Sequence, residues 1–148
     1  MTELDAFLES TLPRLKAADT ALHNGDAGQR IAMWSRNDPL TLFGAAFSGS
    51  GWAELGPTFD LLASRFSSCS SWELDVVAAG VGGDLAYIVG TEHTTASVAG
   101  APPAPYSLRV TTIFRREDDD WRIVHRHADP HDASAGELAS RLRESGTP

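Results

Sequence analysis

The chain has 148 residues, 42% hydrophobic and 22% charged, and its 20 acidic residues against 12 basic ones give a formal net charge of −8. That length suits a single domain with room for an internal pocket, and the composition is that of a soluble globular protein. No apolar run approaches the roughly 20 residues that span a bilayer, and the negative balance repels phosphate backbones and anionic lipid, which argues against membrane and nucleic-acid partners.

The N-terminus is acidic and periodic, without the positive start and apolar core of a secretion signal. Cys69 is the only cysteine, so no intrachain disulfide forms, in keeping with a reducing, cytoplasmic setting. Thr2 with Asp5 reads as a capping box, and Leu4, Phe7, Leu8, Leu12, Leu15, Ala18 and Leu22 make one apolar helical stripe. Pro13 falls inside it, so either the helix kinks there or a second helix begins near Thr11. Asn24-Gly25 ends this segment. A short helix over 27–34 leads to the turn Asn37-Asp38-Pro39 and a brief strand over 40–43. A loose, glycine-rich loop over 44–56 carries Trp52. Gly56-Pro57 then opens an amphipathic helix with Phe59, Leu62, Ala63 and Phe66 on one side, closed by the serines at 67, 68, 70 and 71.

From there the apolar period changes from 3.6 to 2, predicting strands over 72–81, 85–97, 106–116 and 121–129. Gly82-Gly83-Asp84 and the acidic stretch 117–120 are hairpin turns, and 100–105 is a proline-rich connection. Ser134 with Glu137, then Leu138 and Leu142, predicts a C-terminal helix over a tail that follows a domain of 1–130. Helices first and a long antiparallel sheet afterwards is an α+β plan, in which the sheet wraps the helices and can leave a cone-shaped hollow.

Several segments carry a family resemblance: residues 37–44 (NDPLTLFG), Gly56, Ala86-Tyr87-Ile88, and Arg115-Arg116-Glu117-Asp118 with Trp121-Arg122-Ile123-Val124-His125-Arg126-His127. Over residues 5–130 the chain resembles the nuclear transport factor 2-like superfamily in its SnoaL-like branch. Its last hairpin is similar to the calcium/calmodulin-dependent kinase II association domain. The resemblance implies an α+β cone and a homodimer packed through the outer sheet face. It leaves the activity open among isomerases, cyclases, dehydratases and non-catalytic binding or dimerisation modules. The arginine-lined pocket of the kinase association domain falls at Val89, Thr112 and Ala128, none of them arginine. A ketosteroid-isomerase base falls at Gly44 or Ala45, which disfavours steroid chemistry, and the expected interior holds no carboxylate for epoxide hydrolysis.

Alternation divides the strands into two faces. The more apolar one, Leu85, Tyr87, Val89, Thr91 and His93 with Leu108, Val110, Thr112 and Phe114 and with Val124, Arg126 and Ala128, is assigned to the interior. A pocket for a small, mostly apolar molecule is therefore expected from Tyr87, Thr91, His93, Thr112 and Arg126, walled by Trp34, Trp52 and Phe59. On the enzyme reading His93, or His127 if the faces are reversed, acts as general acid/base in an isomerisation, cyclisation or dehydration that needs no cofactor. The opposite face brings Glu92, Arg109, His125 and His127 together as a polar network or a dimer surface. His125-x-His127-x-Asp129 is too weak a pattern for a metal site to be assigned.

Overall fold

A computed structural model describes residues 1–131 and 133–144. Helix α1 runs Glu3–Leu22, α2 Gly28–Met33 and α3 Trp52–Ser64, and α4 Ala133–Arg143 follows the last strand. The strands are β1 Thr41–Phe43, β2 Ser48–Ser50, β3 Phe66–Gly82, β4 Leu85–Val98, β5 Ala104–Glu117 and β6 Asp120–Pro130. They form one curved, unclosed six-stranded sheet in the order β2-β1-β6-β5-β4-β3, antiparallel except where β1 runs parallel to β6. The α+β cone is thus the observed architecture.

The capping box is present, with Thr2 accepting from the Asp5 amide and Asp5 from the Thr2 amide, both at 3.0 Å. Of the two readings of Pro13, the second helix start does not occur: α1 is one helix with Pro13 inside it. Burial of Phe7, Leu15, Ala18 and Leu22 on one face outweighs the single backbone bond that proline removes. α3 starts earlier than its Gly56-Pro57 signal, at Trp52 behind Gly51, whose φ of +81° suits glycine. The presumed loop also contains β2, a three-residue strand too short to show a period. The serine run after α3 is strand rather than helix end: β3 begins at Phe66, with an irregular register between Ser67 and Ser71.

The segments that carried the resemblance are structural ties. Arg115 donates from Nη2 to the Asn37 carbonyl at 2.8 Å, and Ser35 Oγ donates to Glu117 at 2.8 Å, fastening the turn before β1 to the end of β5. Trp121 meets Phe7 edge-on at 5.2 Å, under the Arg116 guanidinium at 4.5 Å. Phe7, Trp34, Leu55, Phe59 and Phe114 centre the core between the helices and the inner sheet face. A second apolar cluster at the open end joins Phe66, Tyr106, Leu108 and Ala128 to Leu138 and Leu142 of α4. The Ser134 and Glu137 side chains lie outside the described ones. Among the described residues no helix is long and apolar enough to cross a membrane.

Candidate functional site

Strand register decides which side chains enter the hollow. On β5 the interior set is Leu108, Val110, Thr112 and Phe114, as expected. On β4 the expectation is reversed: Ile88 pairs with Thr112 and Glu92 with Leu108, so the even-numbered residues of β4 face inward. The apolarity of Leu85, Tyr87 and Val89 misled the assignment. Leu85 and Tyr87 lie on the outer face, 53% and 45% exposed, while the inner face of β4 is made of small Ala86, Gly90 and Ala96 around charged Glu92. On β6, Ile113 pairs with His125 but Phe114 with Ile123, so Val124 falls in a bulge. Ile123 therefore points inward along with Arg126 and Ala128, and Val124 does not belong to that series.

The hollow ends in a cavity of about 50 Å³ with apolar walls that include Leu42, Phe47, Leu62, Phe66, Leu108 and Leu138. Its polar floor is His23, Arg30, Glu92, Tyr106 and Arg126. Arg126 donates from both terminal nitrogens to Glu92, at 2.7 and 2.8 Å, with the two residues 9% and 4% exposed. Behind them Arg30 is ion-paired with Asp19, also buried. Two guanidinium groups thus balance two carboxylates, which is how buried charge is tolerated.

His23 follows α1 directly, and its ring is bonded on both sides. Nδ1 lies 2.7 Å from the Asp19 carbonyl, which can only accept, so Nδ1 carries the proton. Nε2 is therefore the acceptor for the Tyr106 hydroxyl. Burial, with Arg126 nearby, pushes the imidazole down to about 4 despite the opposing pull of Glu92, so it is neutral at pH 7. Burial and Glu92 push the Tyr106 phenol up. Burial would raise Glu92, but the charge and hydrogen bonds of Arg126 outweigh it and hold the carboxyl below its ordinary value. The floor therefore offers a neutral imidazole, a phenol that donates to it and keeps oxygen lone pairs to spare, and net zero charge: a proton relay beside an apolar chamber.

Of the residues expected in the pocket, Arg126 lines this cavity and Thr112 shares its inner face. Tyr87, Thr91 and His93 stand on the outer face, since their neighbours Ile88 and Glu92 point inward. Trp34 and Phe59 are buried in the central core, 5.3 Å apart, and Trp52 caps them under Arg36, so none of the three walls the cavity. The expected network of Glu92 with Arg109 and His127 does not form. Glu92 points inward, and Arg109 instead makes a bidentate pair with Asp129 at 2.9 Å. His125 is outside with His127; it bonds Thr41 Oγ1 at 2.7 Å, and both rings meet Phe43 edge-on. Among the described residues no group of three or more His, Cys, Asp or Glu is placed to hold a metal. Sequence reasoning missed His23, Arg30, Asp19 and Tyr106. One signal was available: Asp19 follows Leu15 by four and precedes His23 by four, a charged residue on the buried side of an apolar stripe.

The family model described as the SnoaL-like domain matches residues 14–130. Solved structures similar to the chain include a proposed dehydratase of the NTF2-like family from Streptomyces avermitilis, 21% identical, TM-score 0.66, covering 84% of this chain and 99% of that one. An NTF2-like protein of unknown function from Pseudomonas putida KT2440 is 18% identical at TM-score 0.66, with 89% and 92% covered. A proposed calcium/calmodulin-dependent protein kinase type II association domain from Thiobacillus denitrificans is 22% identical at TM-score 0.61, with 86% and 91% covered. At these identities the likeness shows the fold. No curated protein matches the chain.

Proposed function

The chain belongs to the SnoaL-like domain family, and from that premise we propose that it binds a small, mostly apolar molecule in the cavity floored by His23, Arg30, Glu92, Tyr106 and Arg126. The observation that carries this reading is a chamber with apolar walls and a few convergent polar groups, the usual make-up of a small-molecule site. The charge-balanced floor favours a neutral ligand with one hydrogen-bonding group, because an added buried charge would have no partner. A suitable probe is 2-naphthol, apolar but for one hydroxyl. Saturable binding is expected in the wild type, followed by the probe's own fluorescence, and loss of binding in Ala128→Phe, which fills the chamber. No saturable binding in the wild type would remove the proposal.

A second reading makes the protein a cofactor-independent isomerase, cyclase or dehydratase. The relay supports it: the Tyr106 oxygen accepts a proton from the ligand while its own moves to His23 Nε2. In this reading the pocket histidine is His23 rather than His93 or His127. Either reading has the protein work in the cytoplasm as a homodimer, with the second copy seated on the outer face around Phe43, which is 50% exposed beside His125 and His127. An unresponsive cavity in such a dimer would leave a non-catalytic dimerisation module.

A further inference from the structure

On the outer face, away from the cavity, three strands bring a serine, a histidine and an aspartate into one hydrogen-bonded chain. His93 of β4 stands directly opposite Ser107 of β5, and its Nδ1 lies 2.7 Å from Ser107 Oγ. Its Nε2 lies 2.9 Å from Oδ2 of Asp75 on β3. A carboxylate only accepts, so Nε2 carries the ring proton and Nδ1 is left as the acceptor for the serine hydroxyl. That is the arrangement of a nucleophile, its base and the group that orients the base, with the two ring nitrogens exchanged relative to the serine proteases. The histidine and aspartate side chains are 45% and 75% exposed, so a substrate can reach them.

We infer that Ser107, His93 and Asp75 form a second site, one for nucleophilic acyl transfer on small carboxylic esters. Ser107 Oγ bonds to the ester carbonyl carbon as its proton passes to His93 Nδ1. The carbon–oxygen bond to the alcohol breaks and the leaving alkoxide takes that proton. Water, deprotonated by the same nitrogen, then adds to the acyl carbon, the bond to Ser107 Oγ breaks, and the proton on His93 Nδ1 returns to that oxygen as the carboxylic acid leaves. Asp75 is the positioning residue. Arg109, two residues from Ser107 on the same side of β5, donates from Nε and Nη2 to Asp129, which leaves Nη1 as the donor for the developing oxyanion. Beside it a shallow groove of about 260 Å³ receives the acyl chain at the end between Val77, Thr91 and Arg109, and its other end, at His127, borders the dimer surface around Phe43. Ser107 lies four residues along β5 from Thr111, the partner of His127, roughly 13 Å from the dimer surface around Phe43.

The test is hydrolysis of p-nitrophenyl acetate by the full chain. Wild type is expected to exceed Ser107→Ala and His93→Ala roughly 10²-fold in kcat/KM, and mass spectrometry of the trapped intermediate should find the acetyl group on Ser107. Asp75→Asn should lower kcat with KM unchanged, and Asp75→Glu should recover part of it, a split that loss of packing would not produce. His93 and Asp75 are exposed and Ser107 is partly so, and Ser107→Ala removes a single oxygen, so the variants keep the fold. Hydrolysis by Ser107→Ala at the wild-type rate, no hydrolysis by the wild type, or an acetyl group on another residue overturns the inference.

Discussion

His23 and Glu92 tie the stability of the protein to pH, each in its own range. The folded His23 value of about 4 lies below the ordinary 6.5, so between those limits the unfolded chain binds a proton that the folded chain refuses. Stability is therefore full above about pH 6.5 and falls as pH drops toward 4, by roughly 3 kcal/mol for this ring alone. Glu92, held below its ordinary 4.5 by Arg126, adds a further loss only at lower pH. Glu92, Arg126, Asp19, Arg30 and Tyr106 face His23, and because both carboxylates are already paired with the two guanidinium groups, an added proton on the ring is left without a counter-charge of its own. Urea midpoints measured from pH 7 to 4.5 should fall steeply for the wild type. They should fall less for His23→Gln, whose amide oxygen can still accept from Tyr106. The part that remains is shared by His125, also pushed down by partial burial and by His127, and near the acid end by Glu117, held below its ordinary value by Arg115, Ser35 and Asn37. An equal slope in both proteins would show that His23 is not the group responsible. The sequence exposed these residues poorly, since a histidine just beyond a helix end looks like a cap, and only contact with Tyr106, 83 positions away, gives it a role.

At the scale of elements, β3 and β4 are locked together at Gly90. A Cβ there would stand 2.4 Å from the Asp75 carbonyl oxygen and 2.9 Å from Leu74 Cδ1, and the backbone oxygen has no room to retreat because β3 is held to β4 along its length. Gly90→Ala should cost roughly 1–3 kcal/mol, the usual range for overpacking. Gly82→Ala, where nothing lies within 4 Å, should be close to neutral. Comparing the two midpoints in urea checks the argument, and equal midpoints would refute it. The same strand pair shows where sequence reading loses its footing. The alternation of β4 was legible, but which half faces inward depended on its pairing with β5, where Ile88 meets Thr112. That pairing leaves no signal in one strand read alone. On β5, flanked on both sides, Leu108, Val110 and Phe114 settled the matter by apolarity.

For the whole molecule the question is what covers the outer face of the sheet. Phe43 is half exposed there, with His125 and His127 edge-on against it at 5.7 and 5.6 Å, and on the dimer reading this cluster sits in the interface core. Sedimentation velocity of Phe43→Asp should give a monomer where the wild type gives a dimer, because an isologous contact places the new charge opposite its own copy. A wild type that sediments as a monomer at all concentrations would sink the dimer. The cavity side has its own cover: α4 lays Leu138 and Leu142 over Phe66, Tyr106 and Leu108, so the described end of the chain helps to shape the chamber.

What the amino-acid order determined alone is the plan of the fold and its longer elements, the three-residue β2 excepted. The stripe of α1, the change of period from 3.6 to 2, the turn residues and the apolar half of β5 are local patterns, written within a few residues of the structure they specify. The family-bearing segments did the same for the cone, because their ties between the start of β1 and the end of β5 are structural. The site was decided by tertiary structure. Its floor unites His23 at the end of the first helical segment, Arg30 of the second with Asp19 behind it, and Glu92, Tyr106 and Arg126 from three strands, and the outer chain of Asp75, His93 and Ser107 is likewise assembled from three strands. A side chain's direction in a sheet reverses with each one-residue slip in register, so the chemistry of this protein rests on bulges and pairings that exist only once the sheet has closed around the helices.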